Sequence, residues 1–297
     1  MPLERPGTPV YDQVRRHCAE VAERARWVAI DPSALRDTGS REGLDSDLHF
    51  LDGDEEEVAR YVLVLDTVNF GSGWFPTLDL PAGQSGTVAV TRALTEHARA
   101  RGSTWTPAEL RALTGPAVAA VLGQPASHPL MALYAAALAQ LGAWLDDRSA
   151  LAAVEAARGS ADAFARSLAA GMPFFDDVGF HKRAQIAAND LVHAGVAAFE
   201  DIDALTIFAD NLVPHVLRGD GVLVYAPELA SRVDAGILLE PGSAMEVEIR
   251  ACAVHACELI AHDRGVAPRT LDNWLWNRGE DEASPGSRPH LTRTVFY

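Results

Sequence analysis

The sequence predicts a mainly α-helical protein built as one domain, 1–297, and three observations carry that expectation. Apolar residues recur at three- and four-residue spacing along most of the 297-residue chain, as the buried stripe of a helix requires. Helix-start signals interrupt that pattern at several points. Only Val88-Ala89-Val90 and Val222-Leu223-Val224 read as short strands. No repeat of 20–50 residues and no linker divides the chain.

The elements follow in order. Residues 12–30 place Val14, Cys18, Val21 and Ala25 at helical spacing, and 31–54 are polar and read as a long loop. Glu55–Phe70 contains the β-prone run Tyr61-Val62-Leu63-Val64-Leu65. Yet Val58, Tyr61, Val62, Leu65 and Val68 share a helical face, and Glu55-Glu56-Glu57 suits a first turn, so this is a buried helix ended by Gly71-Ser72-Gly73. Thr104–Leu122 begins with Thr106-Pro107-Ala108-Glu109, the order of a capping box. His128–Leu145, Asp147–Ala170, Val178–Phe199, Ile202–Leu217 and Pro227–Ala235 continue the helical pattern. Ala244–His262 follows, with Ser243 as cap and Glu246 three residues on. Gly279–Ser287 reads as a polar loop.

Composition removes several function classes. Apolar residues make up 48% of the chain, enough for a sizeable core, but no stretch reaches the length of a membrane span. The N-terminus has no secretory pattern, and Cys18, Cys252 and Cys257 suit neither a disulfide framework nor a structural zinc site. A cytoplasmic protein is expected. The net charge is −16 and there is no basic run, so an intact nucleic acid is a poor partner, whereas a small anion can bind at a local cluster of cations. Gly71-Ser72-Gly73 lacks phosphate-loop spacing, and no Gly-x-Ser-x-Gly or HExxH pattern occurs. His255 and His262 read as helix-surface residues, and Asp52–Glu57 as a solvated loop and helix start.

Three segments are richer in polar and aromatic residues than a plain core needs. In the first, Asn69, Phe70, Trp74 and Phe75 flank a glycine turn; the aromatics either form a slot for a flat ring or plug the core. The second holds Lys182-Arg183 at the opening of an apolar helix, where cations and backbone N–H groups together suit a phosphate. Lys182 is the single lysine among 25 basic residues, and a flexible point charge differs in use from the planar guanidinium. In the same segment Asp210 interrupts the apolar run Leu205–Ala209 and is either a cap or a working carboxylate. The third, Asp272-Asn273-Trp274-Leu275-Trp276-Asn277, offers acceptors and indoles for a nucleobase, or else an aromatic staple at a helix end.

Taken in order, Asp66-Thr67-Val68-Asn69-Phe70, Phe180-His181-Lys182-Arg183-Ala184-Gln185, Phe208-Ala209-Asp210, Glu246–Ala251, Asp272–Trp276 and Arg293–Tyr297 resemble the signature of the queuosine salvage family. The resemblance runs from about His49 to Tyr297. It implies a mainly α fold distantly like DNA glycosylases. It also implies hydrolysis of queuosine 5′-phosphate to queuine and ribose 5-phosphate, with no metal or other cofactor. It makes Asp210 the catalytic carboxylate and Lys182 a phosphate ligand, with His49, Phe208 and Asp272 against the base. The chain departs from the family pattern at Gly71–Phe75, Asn211 and Asn277, all expected near the base. Two other functions fit the same residues: a glycosylase for a different deazapurine or purine nucleotide, and a non-catalytic nucleobase- or nucleotide-binding protein. A DNA repair glycosylase is disfavoured by the acidic charge.

Overall fold

A computed structural model describes residues 7–281 and 288–297. The chain forms two compact units that alternate along the sequence. The first takes the described residues up to Glu42, then Val178–Lys182 and Asp203–Thr294; the second takes Gly43–Asp177, Arg183–Ile202 and Val295–Tyr297. The first passage between units, at 42/43, falls in the long irregular segment before residue 55, and the passage at 182/183 falls inside a helix.

Helix α1 (Val10–Glu23) and strand β1 (Val28–Ile30) open the first unit. The second unit is built from α2 (Glu55–Thr67), α3 (Gly86–Arg101), α4 (Pro107–Ala112), α5 (Gly115–Leu122), α6 (Pro129–Leu145), α7 (Ala150–Glu155) and α8 (Ala161–Gly171). To these it adds α9 (Lys182–His193) beyond its first residue. The first unit then resumes with α10 (Leu212–Asp220), β2 (Leu223–Tyr225), α11 (Pro227–Asp234), α12 (Ala244–Arg264) and α13 (Pro268–Asp281). The expectation of a mainly helical protein holds. The strands pair antiparallel, Val28 opposite Tyr225 and Ile30 opposite Leu223. Among the described residues no helix is long and apolar enough to cross a membrane.

In the first unit α12 is the central element. It packs on α1, α10, α13 and β1, and its residues Ile249, Ala251–Val254, Ala256 and Cys257 are wholly buried. Small residues let α1 approach closely, so α12 is enclosed on most sides and reads as apolar nearly all round. In the second unit α6 packs against α2, α4, α5 and α8, with Tyr134, Leu138 and Leu141 fully buried.

Sequence signals that carry a hydrogen bond set the helix starts correctly. Asp54 accepts from Glu57 N–H at the start of α2, Thr106 and Glu109 form the capping box of α4, and Ser243 caps α12. Several expectations need correction. Val88-Ala89-Val90 is not a strand but the first turns of α3, because Ser85 caps the helix and Val90, Thr91 and Leu94 bury one helical face. The helix expected over 12–30 stops at Glu23 and gives way to β1, which pairs with β2. Thr104–Leu122 is two helices, since Leu113 is extended and Thr114 caps a new start with Pro116 behind it. Asp147–Ala170 is likewise broken, where Arg158 and Gly159 take positive φ. Farther on, 205–209 is irregular rather than helical and α10 begins only at Leu212. Gly279–Asp281 belong to α13; the rest of the expected polar loop, 282–287, lies outside the described residues.

Candidate active site

Asp210 stands where the irregular segment 205–209 leads into α10. Its Oδ1 accepts from Leu212 N–H at 2.8 Å and from Val213 N–H at 3.1 Å. Those N–H groups have no partner inside the helix, and they carry the positive end of its dipole. The two meanings left open by the sequence, cap and working group, therefore coexist in one side chain. Burial pushes the Asp210 carboxyl above the ordinary range, while Lys182, the two N–H donors and Arg250 all favour the anion. The residue is nonetheless only half-buried. A carboxylate that is closely surrounded by protein and still reached by solvent is placed to meet a small ligand.

Lys182 is the first residue of α9 and is 3% exposed. Its ammonium is close enough to Asp210 to favour the carboxylate. His181, just before it, has φ of 48°, in the left-handed region that costs a side chain energy. The strain is thus held at the residue that introduces Lys182. Phe208 is buried two residues before Asp210, and its N–H donates to Oδ1 of Asp272 at 2.8 Å. Asp272, on α13 and itself buried, therefore tethers the segment that leads to Asp210. Lys182, Phe208, Asp210 and Asp272 all belong to the first unit.

The remaining residues of the α13 segment are used differently. The Asn273 amide donates to Arg269 O at 2.7 Å, and that of Asn277 to Asn273 O at 2.8 Å and Arg41 O at 3.0 Å. The Trp274 indole donates to Glu42 at 3.2 Å, and Trp276 packs against the core of the unit. The donors of Asn273 and Asn277 thus fasten α13 to itself and to Arg41 in the irregular segment after β1.

In the second unit, His49 is half-buried, with Nδ1 2.8 Å from Asp45 O. A carbonyl can only accept, so Nδ1 carries a proton and the neutral ring keeps Nε2 as an acceptor. Burial lowers the His49 pKa, against the Asp45 carbonyl and carboxylate. Asn69 is half-buried just beyond α2, and Trp74 is buried. Phe70 does not form an exposed slot: it is 2% exposed and meets Tyr134 and Phe174 edge-on, with ring centroids 5.0 and 6.2 Å away. Gly71 makes the turn possible, since its φ is 114° and a Cβ there would come within 2.9 Å of Leu130.

Arg183 is 1% exposed, and its guanidinium donates to the carbonyls of Thr67 and Val295, each at 2.6 Å, and to that of Phe174. It is also stacked by Phe70 and Phe175, whose ring centroids are 4.8 and 4.5 Å away. Both terminal nitrogens of Arg183 are thus engaged by backbone carbonyls of its own unit.

Sequence reasoning missed Arg250 and Glu246 as parts of the site. The signal was present: Glu and Arg four apart in the Ala-, Val- and Ile-rich first half of a helix. Such a pair is usually a solvated surface contact, but here both side chains are buried, 3.5 Å apart. An open groove of about 740 Å³ also lies along α1, β1 and α12, lined by residues such as Arg16, Glu23, Ile30, His255 and Leu259. It contains none of the candidate residues, and nothing in it gathers chemistry comparable to Asp210 and Lys182.

Comparison with known proteins bears on this arrangement. A family model described as queuosine salvage protein matches residues 48–297. The chain is similar to a Sphaerobacter thermophilus protein described as queuosine 5′-phosphate N-glycosylase/hydrolase, 35% identical over 93% of this chain and 95% of that protein. Proteins of the same description from Dictyostelium discoideum and Mus musculus are 38% and 35% identical. Each alignment covers 40% of this chain, and 40% and 41% of the respective relatives.

Proposed function

This chain belongs to the queuosine salvage protein family, and from that premise we infer that it is a hydrolase of queuosine 5′-phosphate in which Asp210 acts at the sugar and Lys182 holds the phosphate. The reaction breaks the N-glycosidic bond, releasing queuine and ribose 5-phosphate. The bonding electron pair leaves with the base, and a water oxygen takes its place on the anomeric carbon. Positive charge builds on the sugar as the bond lengthens, and a carboxylate beside it stabilises that state. The observation that carries the reading is Asp210 itself: a solvent-reached acid kept toward its anionic form by two helix N–H groups and by Lys182.

A 7-deazapurine has no N7 to protonate, so the departing base must be stabilised through its remaining ring nitrogens and carbonyl oxygen. His49 and Asp272 are the groups proposed for this, with Phe208 beside the base. The acceptor Nε2 of neutral His49 suits a ring N–H, and its protonated form would donate to an oxygen. Asn69 and Trp74 are likewise proposed as substrate-binding residues. Phe70, Arg183, Asn273, Trp276 and Asn277 are given supporting rather than ligand-binding roles. Lys182 anchors the far end of the substrate, so phosphate binding energy can position the sugar against Asp210. A cytoplasmic location accords with three free, buried cysteines.

The direct test is to incubate the purified chain with queuosine 5′-phosphate and separate the products. Free queuine in step with ribose 5-phosphate is the expected result. Release from a different purine or deazapurine nucleotide, with queuosine 5′-phosphate untouched, would keep the chemistry and change the substrate. Affinity without turnover would make the chain a binding protein.

A further inference from the structure

We propose that Arg250 is the positioning residue that fixes Lys182 and Asp210 relative to each other, and so couples phosphate binding to glycosidic cleavage. The inference rests on the roles given above to Lys182 and Asp210. Arg250 lies on α12 and is 3% exposed. Its Nε–H donates at 2.9 Å to the carbonyl of Ala209, the residue immediately before Asp210. Its guanidinium carbon is 3.9 Å from the ring centroid of Phe180, two residues before Lys182. One planar side chain therefore holds both segments from which the acid and the anchor project, although the two are distant in sequence.

The choice of arginine follows from this double contact. Stacking on Phe180 uses the flat face of the guanidinium, and the bond to Ala209 uses a donor in its plane; a lysine ammonium has no flat face to stack and fixes this pair of contacts in a less defined geometry. Glu246, one turn earlier on α12, lies 3.5 Å from Arg250 Nη1 and accepts from Gly242 N–H at 3.0 Å through its other oxygen. The clamp is thus oriented by a carboxylate that is itself held. An apolar side chain would fill the same volume without the desolvation cost of a buried charge, so simple packing does not account for the residue. The left-handed φ of His181 lies between the clamped Phe180 and Lys182. A strained backbone persists where surrounding contacts over-determine it, and the Phe180 stack is such a contact.

The test is steady-state kinetics on the full chain with queuosine 5′-phosphate and with unphosphorylated queuosine, comparing the parent protein with Arg250→Lys, Phe180→Leu and Lys182→Ala. Arg250→Lys keeps the charge and loses the clamp. It is expected to lower kcat on the nucleotide by on the order of 10²-fold, the cost of a misplacement near 1 Å. KM should change little and the nucleoside should lose much less, so the preference for the phosphorylated substrate falls. Phe180→Leu leaves Arg250 in place, should reproduce the same loss of preference, and carries the test if Arg250→Lys does not fold. Equal losses on both substrates, or a rise in KM alone, would overturn the proposal. If Lys182→Ala removes the preference and neither Arg250→Lys nor Phe180→Leu does, the clamp is wrong and the phosphate reading stands. If Lys182→Ala leaves the preference intact, the phosphate reading fails and the clamp falls with it.

Discussion

Lys182 and Arg183 are adjacent cations with opposite uses, and the contrast defines the regions around them. Lys182 opens α9 in the first unit, where its charge bears on a solvent-reached carboxylate. Arg183 belongs to the second unit, where its guanidinium is spent on the carbonyls of Thr67, Phe174 and Val295 between two aromatic rings. Burial lowers the Arg183 pKa to about 9, against Asp177 and Asp66, so it remains a cation at neutral pH. A planar guanidinium can place its two terminal nitrogens on several fixed carbonyls at once, and such a group stiffens a core. A point charge on a flexible stem is better suited to a partner that comes and goes. Burial and charge alone therefore do not mark a functional cation; the shape of the cation and the groups around it bear on its role.

This contrast can be broken by substitution. The largest effect on folding is expected from Arg183→Met, which leaves up to three carbonyls without their donor at roughly 1–3 kcal/mol each. A loss of about 3 kcal/mol or more would lower the thermal midpoint by about 6–12 °C, readable by calorimetry. Lys182→Ala should do the reverse. Its midpoint shifts much less than that of Arg183→Met, while kcat/KM for the nucleotide falls at least about tenfold, the loss of one charge-assisted phosphate contact. If Arg183→Met keeps its midpoint, or Lys182→Ala unfolds the chain, the division of labour is wrong.

A pH–rate profile sharpens the same comparison. Asp210 acts as an anion and burial raises its pKa, so activity should fall on acidification through a value above the usual ~3.9 of an aspartate. Lys182 and Arg250 both favour the anion, so Lys182→Ala should move that acid limb to higher pH. His290 does not supply the limb, because burial, Arg250 and His215 hold its pKa down at about 3 and it stays neutral across the working range. A limb unmoved by Lys182→Ala would separate the two residues electrostatically. The smallest effect is expected at Asn273→Ala, which removes a bond to Arg269 O worth about 0.5–1.5 kcal/mol, with turnover unchanged.

Much of the fold was legible because local signals agree with the tertiary result. Asp54, Thr106 with Glu109, and Ser243 each mark a helix start by a bond that the sequence itself specifies. Val88-Ala89-Val90 misleads because β-branched residues also pack well on a buried helical face, and the cap at Ser85 decides the outcome. At the site, Asp210 was visible as a charge interrupting an apolar run, and Lys182 as the single lysine. Adjacency concealed the difference between Lys182 and Arg183. Arg250 was concealed by its spacing from Glu246, since burial of both charges is a property of how α12 is surrounded and not of the α12 sequence.

The central claim concerns the charge on Asp210, and Asp210→Asn isolates it. The amide oxygen can still accept from Leu212 and Val213, so the start of α10 is preserved. A carboxyl whose pKa is raised on folding binds its proton more tightly in the native state; that contribution stabilises the fold at low pH and is lost as pH rises through the raised value. At neutral pH the ionised acid is a net cost to the fold, and removing its charge should leave the thermal midpoint equal or higher. The measurement is free queuine released from queuosine 5′-phosphate by Asp210→Asn beside the parent chain, with the midpoint taken on the same samples. A fall in rate of at least about 10³-fold in a protein no less stable is the predicted result; near-normal release by the variant would contradict the account.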